Sequence, residues 1–120
     1  MLYAMFCYNS EAMTGSRTQE EDDAMMAEHA AIERPLVAQG KLGPSARLMP
    51  TTTAVTVRAG RERVVIDGPF AETKEQLLGF YVLEGESLEE VIEIARKLVS
   101  EGGALEIRPL RTFDAGSVLR

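Results

Sequence analysis

The sequence predicts an α+β fold: a βαββαβ-type sandwich with an extra hairpin strand. Two observations lead there. Short apolar or alternating runs bounded by turn residues recur through the chain and read as strands, and two longer segments carry capping signals followed by apolar residues at helical spacing. Their order is strand, helix, three strands, helix, strand. Two helices with one apolar face each can cover one side of an antiparallel sheet, which is the layered solution open to such a pattern.

Residues 2–8 are apolar and aromatic and close at Asn9-Ser10, which suits a buried strand. Asn9 to Arg17 reads as a loop. Thr18 and Glu21 have capping-box spacing, and the helix they open is expected to run to about Gln39, stopped by Gly40. Met25, His29, Ile32 and Leu36 fall on one face of it, so His29 is directed toward the sheet. Pro35 removes an amide from the last turn and predicts a bend there. Lys41 to Pro50, with Gly43-Pro44 and Pro50, reads as a loop crossing a sheet edge.

Thr52 to Ala59 alternates as a strand, Gly60-Arg61 makes a tight turn, and Glu62 to Ile66 returns as the second arm of a hairpin. Asp67 to Gln76 is a polar loop, and Leu78 to Glu84 is the next strand. Ser87 and Glu90 form a second capping box, after which Leu88, Val91, Ile92, Ala95, Leu98 and Val99 make an apolar stripe ended by Gly102-Gly103. Ala104 to Arg108 is a last strand, stopped by Pro109. Leu110 to Arg120 reads as a tail, either crossing to a partner subunit or loose. If the uncovered sheet face carries Val, Phe or Tyr, a second copy is its simplest cover, so a homodimer packed through its sheet faces is expected.

The 120 residues suit one domain spanning 1–120, with 45% hydrophobic and 27% charged residues. A net charge of −6 without a basic run argues against nucleic acid and anionic membranes as partners. The acidic run Glu20, Glu21, Asp22, Asp23 lies where a helix begins and complements its dipole. One cysteine, Cys7, excludes an internal disulfide and reads as a small buried hydrophobe. No apolar run approaches the roughly 20 residues of a membrane span, and the start lacks a signal-peptide pattern, so a cytoplasmic location is expected.

His29 is the only histidine, and its reference pKa near neutrality suits general acid or base work if an acceptor orients one ring nitrogen. Asp67, at the end of a strand, is the candidate acceptor; the competing reading is a core histidine bonded to backbone. Lys74 can hold an anionic group or belong to a neutralised surface between two glutamates. Arg47 and Arg58 are further anion partners. Tyr81 and Tyr8 can offer hydroxyls to a ligand or serve as packing groups with one wet end. One histidine and one cysteine without paired spacing do not make a zinc site, and no phosphate loop, dinucleotide fingerprint or nucleophile elbow occurs. No cofactor or metal is expected.

Asp67-Gly68-Pro69-Phe70-Ala71-Glu72-Thr73-Lys74-Glu75-Gln76, followed by Gly79-Phe80-Tyr81, resembles the signature of the DGPF-type proteins in the YCII-related family. The resemblance extends to the opening strand Met1-Leu2-Tyr3-Ala4-Met5, the helix with Met26-Ala27-Glu28-His29, the Thr51-Thr52-Thr53 entry and the closing Glu106-Ile107-Arg108-Pro109. It implies a ferredoxin-like α+β fold that dimerises through its sheets, as in the dimeric α/β barrels. It also implies a cleft in which a His and an Asp form an acid/base pair, one relative being a dehydrochlorinase. Some members occur beside or fused to extracytoplasmic-function sigma factors.

Three expectations follow. The first is a small-molecule enzyme of lyase or isomerase type, with His29 moving a proton, Asp67 orienting it, Lys74 or Arg47 holding an anion, and Tyr81 beside them. The second is a non-catalytic ligand-binding or regulatory module linked to such sigma-factor systems. The third makes the motif architecture, with Asp67 capping loop amides and Phe70 filling the core.

Overall fold

The computed structural model describes residues 1–118. Its elements are β1 (Leu2–Asn9), α1 (Glu11–Thr14), α2 (Gln19–Ala38), β2 (Leu42–Arg47), β3 (Val55–Arg58), β4 (Val64–Asp67), β5 (Gln76–Glu84), α3 (Leu88–Leu98) and β6 (Ala104–Pro109). Four strands form one antiparallel sheet in the order β2-β5-β1-β6, and β3 and β4 form a separate two-stranded sheet. Without α1, β3 and β4, the connectivity is βαββαβ with ferredoxin-like strand order. The extra hairpin is an insertion between its second and third strands.

The helices begin where side chains replace missing backbone partners. The Thr18 hydroxyl accepts from the Glu21 N–H at 3.1 Å, and the Glu21 carboxylate accepts from the Thr18 N–H at 3.1 Å, so α2 opens on the predicted capping box. Its end is closed by Gly40 at φ +68°, with the Lys41 N–H donating to the Leu36 carbonyl at 2.8 Å. Ser87 caps α3 through the Glu90 N–H at 3.2 Å. Val91, Ala95 and Leu98 of α3 are buried against Tyr3, Met5 and Leu83 of β1 and β5 in the core.

Several expectations change. The stretch Lys41 to Pro50 is not a loop: β2 pairs along the edge of the sheet, with Ser45 opposite Tyr81 and Arg47 opposite Gly79. Gly43-Pro44 falls in the register shift between Leu42 and Ser45, where a residue without an N–H can be accommodated in an edge strand. The first hairpin strand is shorter than read, because Thr51–Thr53 is a 3-10 turn before Val55. Helix α2 keeps its expected extent, ending at Ala38 with Pro35 inside it, while α3 stops at Leu98 ahead of Gly102-Gly103 and Asn9 to Arg17 contains the single turn α1, capped by Ser10. Phe70 does not fill the core; it is 75% exposed. Leu119 and Arg120, the end of the tail, lie outside the described residues.

Strand parity divides the sheet. Tyr3, Met5, Tyr81 and Leu83 face the helices, and the opposite face carries Ala4, Phe6, Phe80 and Val82, registered as Ala4 with Val82 and Phe6 with Phe80. At the centre of this pairing, Gly79 permits a close approach of β2 to β5, since a Cβ there would lie 2.3 Å from the Ala46 carbonyl oxygen. Gly79→Ala is therefore expected to lower stability by about 1–3 kcal/mol in denaturant unfolding, as overpacking does. Gly60→Ala, whose nearest neighbour would be 3.6 Å away, should change it by less than about 0.5 kcal/mol.

Candidate functional site

Helix α2 buries a side chain near one end only. Leu36 is its single buried residue, while α3 buries three. From Asp22 to Glu33 its inward face carries Asp22, Met25, Met26, His29 and Glu33, a mixture of charged, polar and flexible side chains that cannot close against a sheet as Val and Leu do. The result is a cavity of about 470 Å³ between α2 and the sheet, within the range of small-molecule sites.

Its floor is set by register. Arg47, Gly79, Cys7 and Leu105 form one row across β2, β5, β1 and β6, and Ser45, Tyr81, Met5 and Ile107 form the next. Gly79 and Cys7 are small, so the first row leaves room above it where the second is filled. Glu11 and Thr14 of α1 close one end, held there by Asn9, which is 3% exposed. The Asn9 Nδ2 donates to the Glu101 carbonyl at 3.2 Å and its Oδ1 accepts from the Ser10 N–H at 2.8 Å.

Charges are placed asymmetrically. The Arg47 guanidinium donates two hydrogen bonds to the Asp22 carboxylate, at 2.9 and 3.3 Å, clamping edge strand to helix. Those bonds hold the Asp22 carboxyl below its usual value. Burial, and then the carboxylate of Glu33 beside it, push the Tyr81 hydroxyl well above the ordinary tyrosine value, so it stays a neutral donor. Burial pushes the Cys7 thiol up to about 11.

Of the residues singled out in the sequence, His29, Arg47 and Tyr81 line this cavity together; His29 and Tyr81 are half-buried and Arg47 is exposed. Asp67 and Lys74 do not line it. Asp67 ends β4 opposite Val55 and is exposed, and Lys74 is exposed in the segment before β5. The carboxylates on the cavity wall are instead Glu11, Asp22 and Glu33. Glu33 follows His29 by four residues on the same helix, a spacing readable in the sequence that puts their side chains side by side. Among the described residues no group of three or more His, Cys, Asp or Glu is placed to hold a metal ion. No helix among them is long and apolar enough to cross a membrane.

An insertion-bearing ferredoxin-like sheet with a cavity under its first long helix defines a class of small α+β proteins. The YCII-related domain model matches residues 1–114, and the chain belongs to the YCII-related family. An uncharacterised protein of Rhizobium meliloti (strain 1021) is 48% identical over 122 residues, covering 98% of this chain and 98% of that protein. Among solved structures, 5-chloro-2-hydroxyhydroquinone dehydrochlorinase (TftG) from Burkholderia phenoliruptrix AC1100, in complex with 2,5-dihydroxybenzoquinone, shares the fold. Its TM-score is 0.50 at 17% identity, with 92% of this chain and 94% of that chain covered.

The Cys7 thiol supplies a direct check on the cavity floor. With its value raised to about 11, about one thiol in a thousand is ionised at pH 8, so iodoacetamide should label native protein far more slowly than denatured protein. The rate should climb roughly tenfold per pH unit toward pH 10. Because the folded value exceeds the unfolded one, the thiol's contribution to stability is complete below about pH 9 and is lost as pH rises through about 11. Rapid native labelling at pH 7 would contradict the burial.

Proposed function

We propose that this protein is an acid/base enzyme of lyase or isomerase type that acts on a small anionic substrate in the cavity under α2. The observation that carries the reading is the convergence of His29, Glu33, Tyr81 and Arg47 on one cavity of about 470 Å³. In this reading the His29 imidazole takes a proton from, or returns one to, a carbon or oxygen of the substrate. Within one chain Glu33 takes the orienting part that the sequence suggested for Asp67. The Tyr81 hydroxyl, kept protonated, donates to an oxygen on which negative charge develops. Arg47 uses only part of its five N–H donors on Asp22 and offers the rest to a carboxylate or phenolate.

A dehydrochlorinase is built on the same fold, which makes elimination chemistry compatible with the architecture by analogy of fold alone. A homodimer through the sheet faces belongs to the same proposal, supported by Phe6 and Phe80, which stay part-exposed on the face without helices. The second reading, a ligand-binding or regulatory module of a sigma-factor system, draws support from the Asp22 carboxylate, which already compensates Arg47.

Thermal-shift and turnover measurements with benzoate, 2-hydroxybenzoate, malate and small hydroquinones test the proposal. For a substrate so found, His29→Ala should lower kcat by roughly 10²–10⁴-fold with the melting temperature nearly unchanged. Arg47→Ala should weaken binding of the anionic members about tenfold or more, and Tyr81→Phe should lower kcat more than it raises KM. Binding that survives His29→Ala, with no turnover of any member by the wild type, would favour the binding module instead.

A further inference from the structure

Three carboxylates and two guanidiniums line the cavity: Glu11, Asp22 and Glu33 against Arg17 and Arg47. Such a wall repels an anion except where a cation is left without a carboxylate of its own. The pairings show where that is. The Glu11 carboxylate accepts from the Thr51 N–H at 2.8 Å, and the Glu33 carboxylate stands beside the Tyr81 hydroxyl. Asp22 accepts both bonds from Arg47, so that guanidinium meets a ligand with a carboxylate already against it. Arg17 makes no ion pair among the described residues. Its charge reaches the carboxylates of Glu21 and Asp22, but Glu21 is held by the Thr18 N–H at 3.1 Å and Asp22 by Arg47.

Arg17 occupies the corner between α1 and α2. Its N–H donates to the Thr14 carbonyl at 3.3 Å, and the Ser16 hydroxyl donates to the Met13 carbonyl at 2.7 Å, so the backbone there is held. The Thr18 and Glu21 amides are engaged in the capping box, which leaves the Arg17 side chain, not the helix end, as the available donor. Beyond the cavity an open groove lies between α2 and the end of α3, lined by Glu28, Lys97 and Glu101 among others. Arg17, Met25, His29, Leu98 and Ser100 face both spaces and form the wall between them, braced by the Ser100 hydroxyl against the Met25 sulfur at 3.9 Å. Arg17 and His29 are the ionisable members of that wall. A ligand lying along it meets both.

We propose that Arg17 is the anion-binding residue of the cavity: its guanidinium receives the carboxylate of a small organic acid and sets the rest of that acid beside His29. The seat for the carboxylate stands on the pairing pattern alone, while its service to His29 rests on the acid/base reading above. Arg47 then acts mainly as the clamp between β2 and α2. The ligand class narrows from anions in general to carboxylates, whose two oxygens match the planar fork of a guanidinium. A dianionic phosphate fits the same fork but brings more negative charge against the three carboxylates of the wall.

Calorimetric titration of the full chain with benzoate, phenyl phosphate and benzamide, which share a ring and differ in charge, tests the assignment. The wild type should bind benzoate roughly tenfold or more tightly than either of the others. Arg17→Gln should weaken benzoate by roughly tenfold or more and change benzamide by less than about twofold, with the melting temperature unchanged. Arg17→Lys keeps the charge without the fork and should recover only part of the loss. Arg34→Gln, which removes the same charge from an exposed position on α2, should leave benzoate binding unaltered. Benzoate bound no better than benzamide by the wild type, or as well by Arg17→Gln as by the wild type, would overturn the proposal. So would a preference for phenyl phosphate, or equal losses of benzoate and benzamide in Arg17→Gln. Because binding is read without turnover, failure to find any reaction would count against the acid/base reading and leave the carboxylate seat standing.

Discussion

The unlike attachments at the two ends of α2 are the constraint on which the cavity depends. Leu36 fixes the helix at its C-terminal end by burial, and the Arg47–Asp22 pair fixes the other end by charge. The two tethers differ in kind. An apolar anchor draws helix and sheet into contact, whereas a guanidinium reaching from an edge strand holds them at the length of an arginine side chain. Between the tethers, Gly79 and Cys7 withhold volume from the floor and the Met25, Met26, His29 and Glu33 side chains cannot fill it. A Leu at either floor position would fill part of the cavity, so smallness there shapes it as directly as any polar group.

Much of this architecture was legible in the sequence. The capping box at Thr18, the Ser87 half of the box expected at α3, the stop at Gly40 and the stripe from Leu88 to Leu98 all rest on local chemistry that tertiary contacts only reinforce; the Glu90 carboxylate accepts from the Glu86 N–H instead of closing the second box. Edge strand β2 was not legible, because an edge strand bulged at Gly43-Pro44 needs no apolar alternation and its partner lies more than thirty residues away. The site was legible by halves. Helical spacing aimed His29 at the sheet and could equally have paired it with Glu33. Seeing that Arg47 and Tyr81 stand on neighbouring rows of the same floor requires the register of β2 on β5, which no local pattern encodes.

The polar stretch after β4 illustrates how a motif can be structural and exposed at once. Gly68, at φ +109°, donates its N–H to the Ala54 carbonyl at 2.7 Å, and its own carbonyl accepts from the Thr56 hydroxyl at 2.8 Å. Those bonds extend the hairpin by a residue beyond the ladder, and a side chain would be strained at that φ. Phe70, expected in the core as a piece of architecture, stacks beneath Arg58 on the surface instead. The specificity of the stretch therefore divides: backbone demands account for Gly68, while the exposed acids and the exposed ring are surface chemistry that the hairpin itself does not require.

Glu11 joins the hairpin to the cavity. Its N–H donates to the Gln76 side-chain carbonyl at 2.8 Å, and its carboxylate accepts from the Thr51 N–H at 2.8 Å and from the Thr51 hydroxyl. Thr51 precedes the hairpin and Gln76 follows it, so both roots of the insertion are tied to one residue, and that residue lines the cavity. A force on the hairpin reaches the cavity wall through these bonds without crossing the apolar core. The hairpin and the cavity wall therefore share a physical link at Glu11.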